Sequence, residues 1–448
     1  MKNIFQITLF LFILLVFKSY GQDENKEVNK VEAKLSGFIK NDVFYDTRQY
    51  EYIVEGLFNA YPKNKLLDSN GKDLNQNDEI TMVNMSSRLK LNVTGLKIAN
   101  ANLKGYIEVD FTGSSDFTGL RLRQAYTQAD WKKFSILLGR TWHPLFVTQA
   151  YPTVNSFNTG APFGVFIRNP MATFTYKPWV WFNIHFSAIS QSTSADFGPN
   201  DGDSKFFKAD YLRHSVLPNL NLRTDFITKN SFFGFAVDYK ELRPRLFTRS
   251  LTDITKTYST DQRVKSFIFM SFYKYSSDKL DIRLRAMYQQ NGTEHFMFGG
   301  YAVSNIDSVT GAEEYTPINY ANAWINVLYG KKFKIGFFAG FSKNLGAGKN
   351  IVNLADYKYL TSRFPANNDY KIAAYYSRGV DEKGGFDIAY AYRICPMFVY
   401  TVDKFSIGMD FEYTAAAYGK FDVNNKGKVS DTYEVFNFRT LLTLMYNF

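Results

Sequence analysis

The chain has 448 residues, with 53 Lys and Arg against 42 Asp and Glu, and a formal net charge of +11. It is 45% hydrophobic and 18% aromatic, yet its mean hydropathy is −0.26. The single Cys395 excludes a disulfide framework within the chain. Beyond the N-terminus, no stretch has the roughly 18 unbroken apolar residues of a transmembrane helix. Many aromatic residues with a polar mean hydropathy are typical of alternating strands around a polar interior.

The N-terminus has the pattern of a secretory signal. Lys2 precedes an apolar run over residues 4–17, and the small residues Ser19 and Gly21 sit where a signal peptidase reads. The predicted signal covers residues 1–21, and its removal takes two lysines, which leaves 11 − 2 = +9. Gln22, not a cysteine, would then come first, which excludes a lipoprotein. The charged residues 22–34 are predicted to form a short periplasmic arm.

A two-residue alternation of apolar and polar side chains recurs along the rest of the chain and predicts strands. At residues 280–290 it is clean, because Leu280 and Ile282 oppose Asp281 and Arg283. At 264–275 both faces are apolar. At 120–130, Leu122 and Tyr126 share the apolar parity. The predicted strands are residues 35–46, 83–94, 103–111, 120–130, 134–142, 165–176, 181–190, 219–227, 233–243, 264–275, 280–290, 321–329, 333–342, 386–401, 405–413 and 433–448.

The last predicted strand ends the chain on an aromatic residue. Counting back in twos from Phe448 gives an apolar parity with Tyr446 and Phe436, and the other parity carries Asn437 and Arg439. This strand resembles the C-terminal signature of Gram-negative outer-membrane β-barrels, which would place the protein in that membrane. The alternative is an edge strand of a soluble sheet.

Connections between the predicted strands alternate in length, apart from the short residues 111–119. Outer-membrane barrels have short periplasmic turns and long external loops, with an even strand count. We therefore predict an all-β fold, a transmembrane antiparallel β-barrel of about sixteen strands over residues 35–448. Eighteen would result if residues 343–385 hide another hairpin. The predicted long loops are residues 47–79, 143–164, 191–218, 244–263, 291–319, 343–385 and 417–432.

In such a barrel the polar parity faces the lumen. Basic residues on it include two doublets, and a low-dielectric wall that carries them would concentrate anions. The alternative is that these arginines only pair with inward acids such as Glu108 and Asp281. The positive net charge favours a pore that prefers anions. The predicted lumen-lining cations are Arg121, Arg123, Arg283, Arg285, Arg140, Arg168, Arg88 and Lys90.

The long segment at residues 143–164 is the best candidate for a constriction. It follows Arg140, carries few charges and is the third long loop in chain order. In many porins the third external loop folds into the lumen. The alternative is an ordinary external loop.

Several short motifs resemble those of the DcaP-type outer-membrane porins. They are R-L-R-Q-A-Y at 121–126, G-R-T-W-H-P at 139–144, R-N-P at 168–170, F-E-Y-T-A-A-A-Y-G at 411–419 and N-F-R-T at 437–440. The resemblance implies a homotrimer of sixteen-stranded barrels with a basic constriction that passes anionic solutes such as dicarboxylates. Members with a long N-terminal coiled coil differ from this chain, whose predicted arm is short.

Other chemistry has little support in the sequence. The four histidines have neither the spacing of a metal site nor partners for a hydrolytic triad. We therefore predict no enzyme activity, cofactor, metal or nucleic-acid partner; an outer-membrane phospholipase or protease is a distant second. Residues 68–79 echo a calcium loop only faintly.

The serious alternative is a barrel that anchors an adhesion or secretion complex, with a plugged lumen. Aromatic residues in the loops, such as Tyr50 and Tyr61, are compatible with it. The inward arginine doublets favour a pore. Small anionic solutes, outer-membrane lipid and lipopolysaccharide are the expected partners.

Overall fold

The structure is a computed structural model that describes residues 30–113, 119–199, 207–253, 255–353, 374–376 and 386–448. The predicted signal and most of the predicted arm lie outside the described residues. The sixteen strands of the wall, β1 to β16 in chain order, are Glu32–Asp46, Glu79–Val83 with Arg88–Thr94 (together β2), Ala101–Asp110, Arg121–Asp130, Phe134–Trp142, Arg168–Trp179, Phe182–Ile189, Asn219–Ile227, Ser231–Leu242, Val264–Ser276, Leu280–Gln290, Glu313–Gly330, Phe333–Ala347, Phe386–Val402, Phe405–Asp422 and Lys428–Asn447.

Each strand pairs antiparallel with the next, and β16 returns to β1. The closing register places Phe38 opposite Asn447 and Val43 opposite Leu442. Closure leaves no sheet edge, so every strand in the wall has hydrogen-bonding neighbours on both sides. The predicted fold class, an antiparallel barrel of sixteen strands, is confirmed.

Side chains alternate between the outer surface and the lumen as the sequence pattern predicts. On β16, Phe436 and Tyr446 are 47% and 48% exposed on the outer surface, whereas Asn437 and Arg439 are 1% and 2% exposed inside. An apolar outer band is what a barrel wall requires against lipid tails.

A β-bulge changes the parity along β4. Leu122 pairs with Val109, but Gln124 pairs with Glu108, so the register shifts by one residue between them. Tyr126 therefore faces the lumen, and its predicted place on the outer parity is wrong. A bulge of one residue switches every later side chain to the other face.

Short turns gather at the end of the barrel that holds both described termini, as at residues 131–133 and 403–404. Long connections gather at the other end, with one correction. Residues 417–432 are not a long loop, because β15 runs to Asp422 and β16 starts at Lys428. Both faces of residues 415–418 are buried, so the alternation that marks a strand is missing there.

The long loops carry short elements of their own. β13 pairs directly with β14, so no further hairpin lies between them in the wall and the alternative of eighteen strands is wrong; the described strand Ala374–Tyr376 pairs with Gly300–Ile306. No helix of the described residues is long and apolar enough to cross a membrane. The remaining elements are strands Tyr50–Ile53, Phe58–Pro62, Lys97–Ile98, Asp196–Phe197, Phe207–Lys208, Phe247–Arg249 and Thr257–Ser259, helix α1 at Asp210–Ser215, and 3₁₀ turns Pro144–Phe146, Thr293–His295 and Val423–Asn425.

Candidate functional site

Residues 143–167, here called the inner loop, fold into the lumen. Lys40 on β1 donates its Nζ–H to the carbonyl of Asn155 at 2.9 Å. On the other side of the loop, the Thr153 N–H donates to Oδ1 of Asn326 on β12 at 2.9 Å. The inner loop therefore reaches from one side of the barrel wall to the other and is not an external loop; its role as the constriction stays a prediction.

Two arginines of the wall hold the inner loop by its backbone. Arg283 Nη1 donates to the carbonyl of Tyr151 at 2.7 Å, and Arg285 Nη2 donates to the carbonyl of Phe146 at 2.8 Å. The Arg285 guanidinium also lies over the Trp324 ring, 5.1 Å from its centroid. This predicted doublet does face inward, but it supports the constriction rather than presenting two free guanidinium groups.

The first long loop also enters the barrel, with the hairpin of Tyr50–Ile53 and Phe58–Pro62. Arg393 on β14 bonds both loops, since it donates to the carbonyls of Ala161 and Asn59 at 3.1 and 2.8 Å. Rings from the two loops and from residues 291–299 pack in one buried aromatic cluster. Phe58 lies 5.7 Å from Phe166, centroid to centroid. These loops narrow the external half of the lumen.

The other arginine doublet is paired with buried acids. Arg123 is fully buried, and it donates to Glu108 at 2.6 Å and to Asp110 at 2.5 Å. Arg121 makes two bonds to Asp110, at 3.1 and 3.0 Å. This geometry agrees with the alternative interpretation, in which the arginines pair with inward acids and brace the wall.

Arg140 and Arg168 lie in different places. Arg140 lies on the parity of Ile136 and Leu138, which are exposed on the outer surface, and its Nη1 donates to the Ser192 hydroxyl at 2.9 Å. It is not among the residues that line the cavity beside the inner loop. Arg168 is buried above Trp142, 4.4 Å from the ring centroid, and forms no ion pair with any described residue.

A cavity of about 890 Å³, here called the basic cavity, lies between the inner loop and the wall of β16 and β1 to β8. Its lining contains one carboxylate, Glu108, among the described residues. Some of its cations have acidic neighbours outside the lining; Lys40, for example, pairs with Asp42 at 2.8 Å. The cations that line it are Lys40, Arg88, Lys90, Lys104, Lys177 and Arg223.

Lys90 and Lys104 carry the unpaired charge of the basic cavity. Neither ammonium forms an ion pair within the part of the chain that the structure describes. Lys90 Nζ lies 5.4 Å from the centroid of Phe38, and Lys104 Nζ lies 5.5 Å from that of Tyr106. Arg88 lies beside them, 3.8 Å from Glu108. These ammonium groups are half-buried and free to attract an anion.

Arg88 and Lys90 are among the candidates predicted from the sequence; Lys104 has the same inward parity but was not singled out, and Lys177 was missed. Lys104 has the inward parity of β3, so its signal was present. Lys177 falls in a predicted turn, because the predicted strand ends at 176, whereas β6 continues to Trp179.

A second cavity of about 620 Å³ lies on the far side of the inner loop, lined in part by Arg283 and Lys334.

A buried polar cluster lies where the inner loop leaves β5. The rings of His143 and His295 meet edge to face with centroids 4.8 Å apart, although nothing in the sequence pattern predicts that they are neighbours. Burial lowers the pKa of both imidazoles well below the usual value, and the ammonium of Lys240 lowers both further. Both rings are therefore neutral at pH 7.

A closed barrel of sixteen strands with an inward third loop is the architecture of a porin. The crystal structure of the outer membrane channel DcaP of Acinetobacter baumannii matches the fold with a TM-score of 0.63 and 16% identity, over 95% of this chain and 100% of that chain. The in-vitro folded outer membrane protein OmpT of Vibrio cholerae matches with a TM-score of 0.52 and 9% identity, over 96% and 100%.

A trimer form of OmpT matches with a TM-score of 0.50 and 9% identity, over 93% of this chain and 99% of that chain. No family model matches the sequence, and no curated protein matches it. At these identities the likeness is one of fold. The resemblance seen in the sequence motifs is thus matched by the architecture.

Proposed function

We propose that this chain is a porin of the Gram-negative outer membrane that lets small hydrophilic solutes diffuse passively and prefers anions. The observation that carries the preference is the basic cavity. It presents Lys90 and Lys104 without acidic partners, and Glu108 is its one lining carboxylate among the described residues. The porin fold and the inward constriction support the transport role.

The physical basis of the preference is electrostatic focusing. The barrel wall and the lipid around it have a low dielectric constant, so the field of the ammonium groups concentrates along the lumen. That field raises the local concentration of anions and lowers that of cations. Solutes with carboxylate or phosphate groups and a length that fits the cavity are the expected cargo.

The outer surface of β2 to β5 supports a homotrimer. Apart from Thr127 and Arg140, outward positions there carry small or aliphatic side chains, such as Gly105, Ala125 and Leu138, and Phe134 is their one aromatic residue among the described positions. The outer face of β6 to β16 is rich in exposed rings, as at Trp179 and Tyr400. Rings suit a lipid boundary, whereas small residues let two protein walls approach closely. Lipid and lipopolysaccharide would then cover the aromatic side.

The anchor alternative retains one specific observation. The aromatic cluster that joins the loops is buried inside the external half of the barrel, as at Phe58 and Phe166. A lumen closed by such a cluster would suit a structural barrel. The inner loop leaves two cavities on the other half, which favours a pore with a narrow constriction.

Planar-bilayer recording separates the two functions. The purified, folded protein is inserted in a salt gradient, and the conductance and reversal potential are measured. We expect steady open-channel steps and a reversal potential on the anion side. Steps without anion preference would support a porin but contradict its selectivity. Silence from a folded barrel that has inserted would contradict the porin and favour the anchor.

A further inference from the structure

The buried cluster at the base of the inner loop contains three groups able to bind a metal ion. His143, Asp238 and His295 are each at most 1% exposed. One ligand atom from each lies within 4.8 Å of the other two. The closest measured approach is 3.7 Å, between Nε2 of His143 and Oδ2 of Asp238. The three residues come from the start of the inner loop, the wall strand β9 and the turn at residues 293–295.

Three ring nitrogens of the two histidines form no hydrogen bond with a described residue, and one of them, Nε2 of His295, lies 3.5 Å from Oε1 of Glu294. Nε2 of His143 and both ring nitrogens of His295 have no hydrogen-bond partner among the described residues. Nδ1 of His143 accepts the Leu145 N–H at 3.3 Å, so that ring is held with Nε2 directed away. A buried polar atom without a partner costs about 1–3 kcal/mol, and three such atoms together call for an occupant.

The charge of the surrounding cluster points to a cation. Lys240 bonds Asp196 at 2.9 Å and lies 3.1 Å from Glu294, and all three are buried. Asp238 receives a bond from Asn221 at 3.1 Å but pairs with no Lys or Arg among the described residues. Three carboxyl groups thus lie around one ammonium in a site without solvent, so the site carries excess negative charge whenever more than one of them is ionised. Burying unpaired charge is costly, and a divalent ion would cancel it.

We propose that His143, Asp238 and His295 bind one divalent transition-metal ion, with zinc as the representative. Two imidazoles and a carboxylate form a donor set that suits zinc, cobalt or nickel, whereas calcium and magnesium take oxygen ligands. Zinc bonds to nitrogen and oxygen are about 2.0–2.2 Å long, so two ligands of one ion lie at most about 4.4 Å apart. The ion would draw the side chains together from their present spacing.

The proposed ion would fix the base of the constriction. Its ligands come from three segments, so it would join the inner loop to the wall and to the loop at residues 293–295. Ligation through Nε2 of His143 moves the ring proton to Nδ1, and the Leu145 contact then has to open. This role does not depend on which solutes pass the pore.

Cobalt binding tests the site directly. Tag-free folded protein is treated with a chelator, dialysed and titrated with Co²⁺, and the visible d–d absorption and bound metal per chain are measured. We expect one tightly bound ion per chain. His143→Ala and His295→Ala should each weaken binding at least tenfold, and zinc should displace the cobalt. His214→Ala, on α1, is the matched control and should bind as the wild type does.

Two further readings keep the test decisive. Migration of unheated samples in an SDS gel shows whether each variant is a folded barrel. If an alanine variant misfolds, cobalt binding is compared instead between Asp238→Asn and the wild type, and between the wild type with and without chelator. Zinc should raise the thermal midpoint of the wild type and not that of a folded ligand variant. The proposal would be overturned if the folded wild type binds no cobalt. It would also be overturned if His143→Ala and His295→Ala bind cobalt as tightly as the wild type does.

Discussion

Asn155 and Asp410 join the middle of the inner loop to strand β15. Nδ2 of Asn155 donates to Oδ1 of Asp410 at 2.6 Å, and its backbone N–H donates to Oδ2 at 3.1 Å. The N–H of Ser156 adds a third bond to the same carboxylate at 3.0 Å. One buried side chain thus holds two residues of the loop, while Lys40 holds the loop from β1.

Asp410→Ala should release the inner loop. It removes three hydrogen bonds to a buried carboxylate, so we expect a loss of about 2–3 kcal/mol in the free energy that holds the loop. The single-channel conductance should rise and become noisier, as planar-bilayer recording will show. Asp403→Ala, in the exposed turn before β15, is the matched control and should leave both unchanged. An unaltered conductance in folded Asp410→Ala would show that the loop does not set the pore size.

Arg285→Ala should change the pore size more than its selectivity. Arg285 bonds the backbone of Phe146 and packs on Trp324, so its loss removes a support of the loop. We expect a larger conductance and a reversal potential close to that of the wild type, both measured in bilayers. A loss of anion preference with unchanged conductance would contradict this and would show that Arg285 attracts anions, as the sequence pattern predicts.

Arg123→Ala should destabilise the barrel strongly. It leaves Glu108 and Asp110 buried without their closest cation, and breaking a buried pair from one side costs about 3–5 kcal/mol. The thermal midpoint of the folded barrel, followed by circular dichroism, should fall. Adding Glu108→Gln and Asp110→Asn should restore much of it, because the buried charge is then removed. A triple variant as unstable as Arg123→Ala would contradict this reason.

Ala125→Arg should disrupt the trimer. Ala125 lies on the outer face of β4, in the aromatic-poor wall, where a long charged side chain would separate two barrels. Ala286→Arg places the same residue on the outer face of β11, where we expect lipid. Light scattering in detergent should give a monomer for the first and a trimer for the second. A trimer in both would mean that the interface lies elsewhere.

The anion preference should weaken with salt. The screening length falls from about 10 Å at 0.1 M to about 3 Å at 1 M, so half-buried ammonium groups act over a shorter range. Reversal potentials measured in equal salt ratios at low and high concentration test this. A preference that does not change with salt would point to a dehydrated binding step and not to focusing.

The strand pattern of the wall was predictable from the sequence because one face meets lipid and the other meets water. The prediction of strands from this pattern failed where the two faces of a strand do not differ in polarity. Residues 415–418 are buried on both faces, and the bulge before Gln124 shifts the parity of Tyr126 without any mark in the sequence. Both faces of residues 264–275 are apolar, and the fold shows the reason: the inward residue Ile268 packs against the inner loop.

The site was predictable only in part, because parity places a cation in the lumen but does not find its partners. Parity and the doublet pattern placed Arg123 ahead of Lys90, yet Arg123 is buried with two acids and Lys90 faces the cavity without an acidic partner. Pairing depends on which strands are neighbours and on how the loops fold back. The contact between His143 and His295 was unpredictable for the same reason, since the two residues lie on separate loops that meet only in the folded barrel.

The reversal potential of Lys90→Gln/Lys104→Gln tests the central claim most directly. It is measured in a salt gradient beside the wild type and beside Lys132→Gln, which makes the same change in an exposed turn. The account predicts an anion-side potential for the wild type and Lys132→Gln, and a clear shift towards zero for the double variant. A double variant as anion-selective as the wild type would contradict the basic cavity as the source of selectivity.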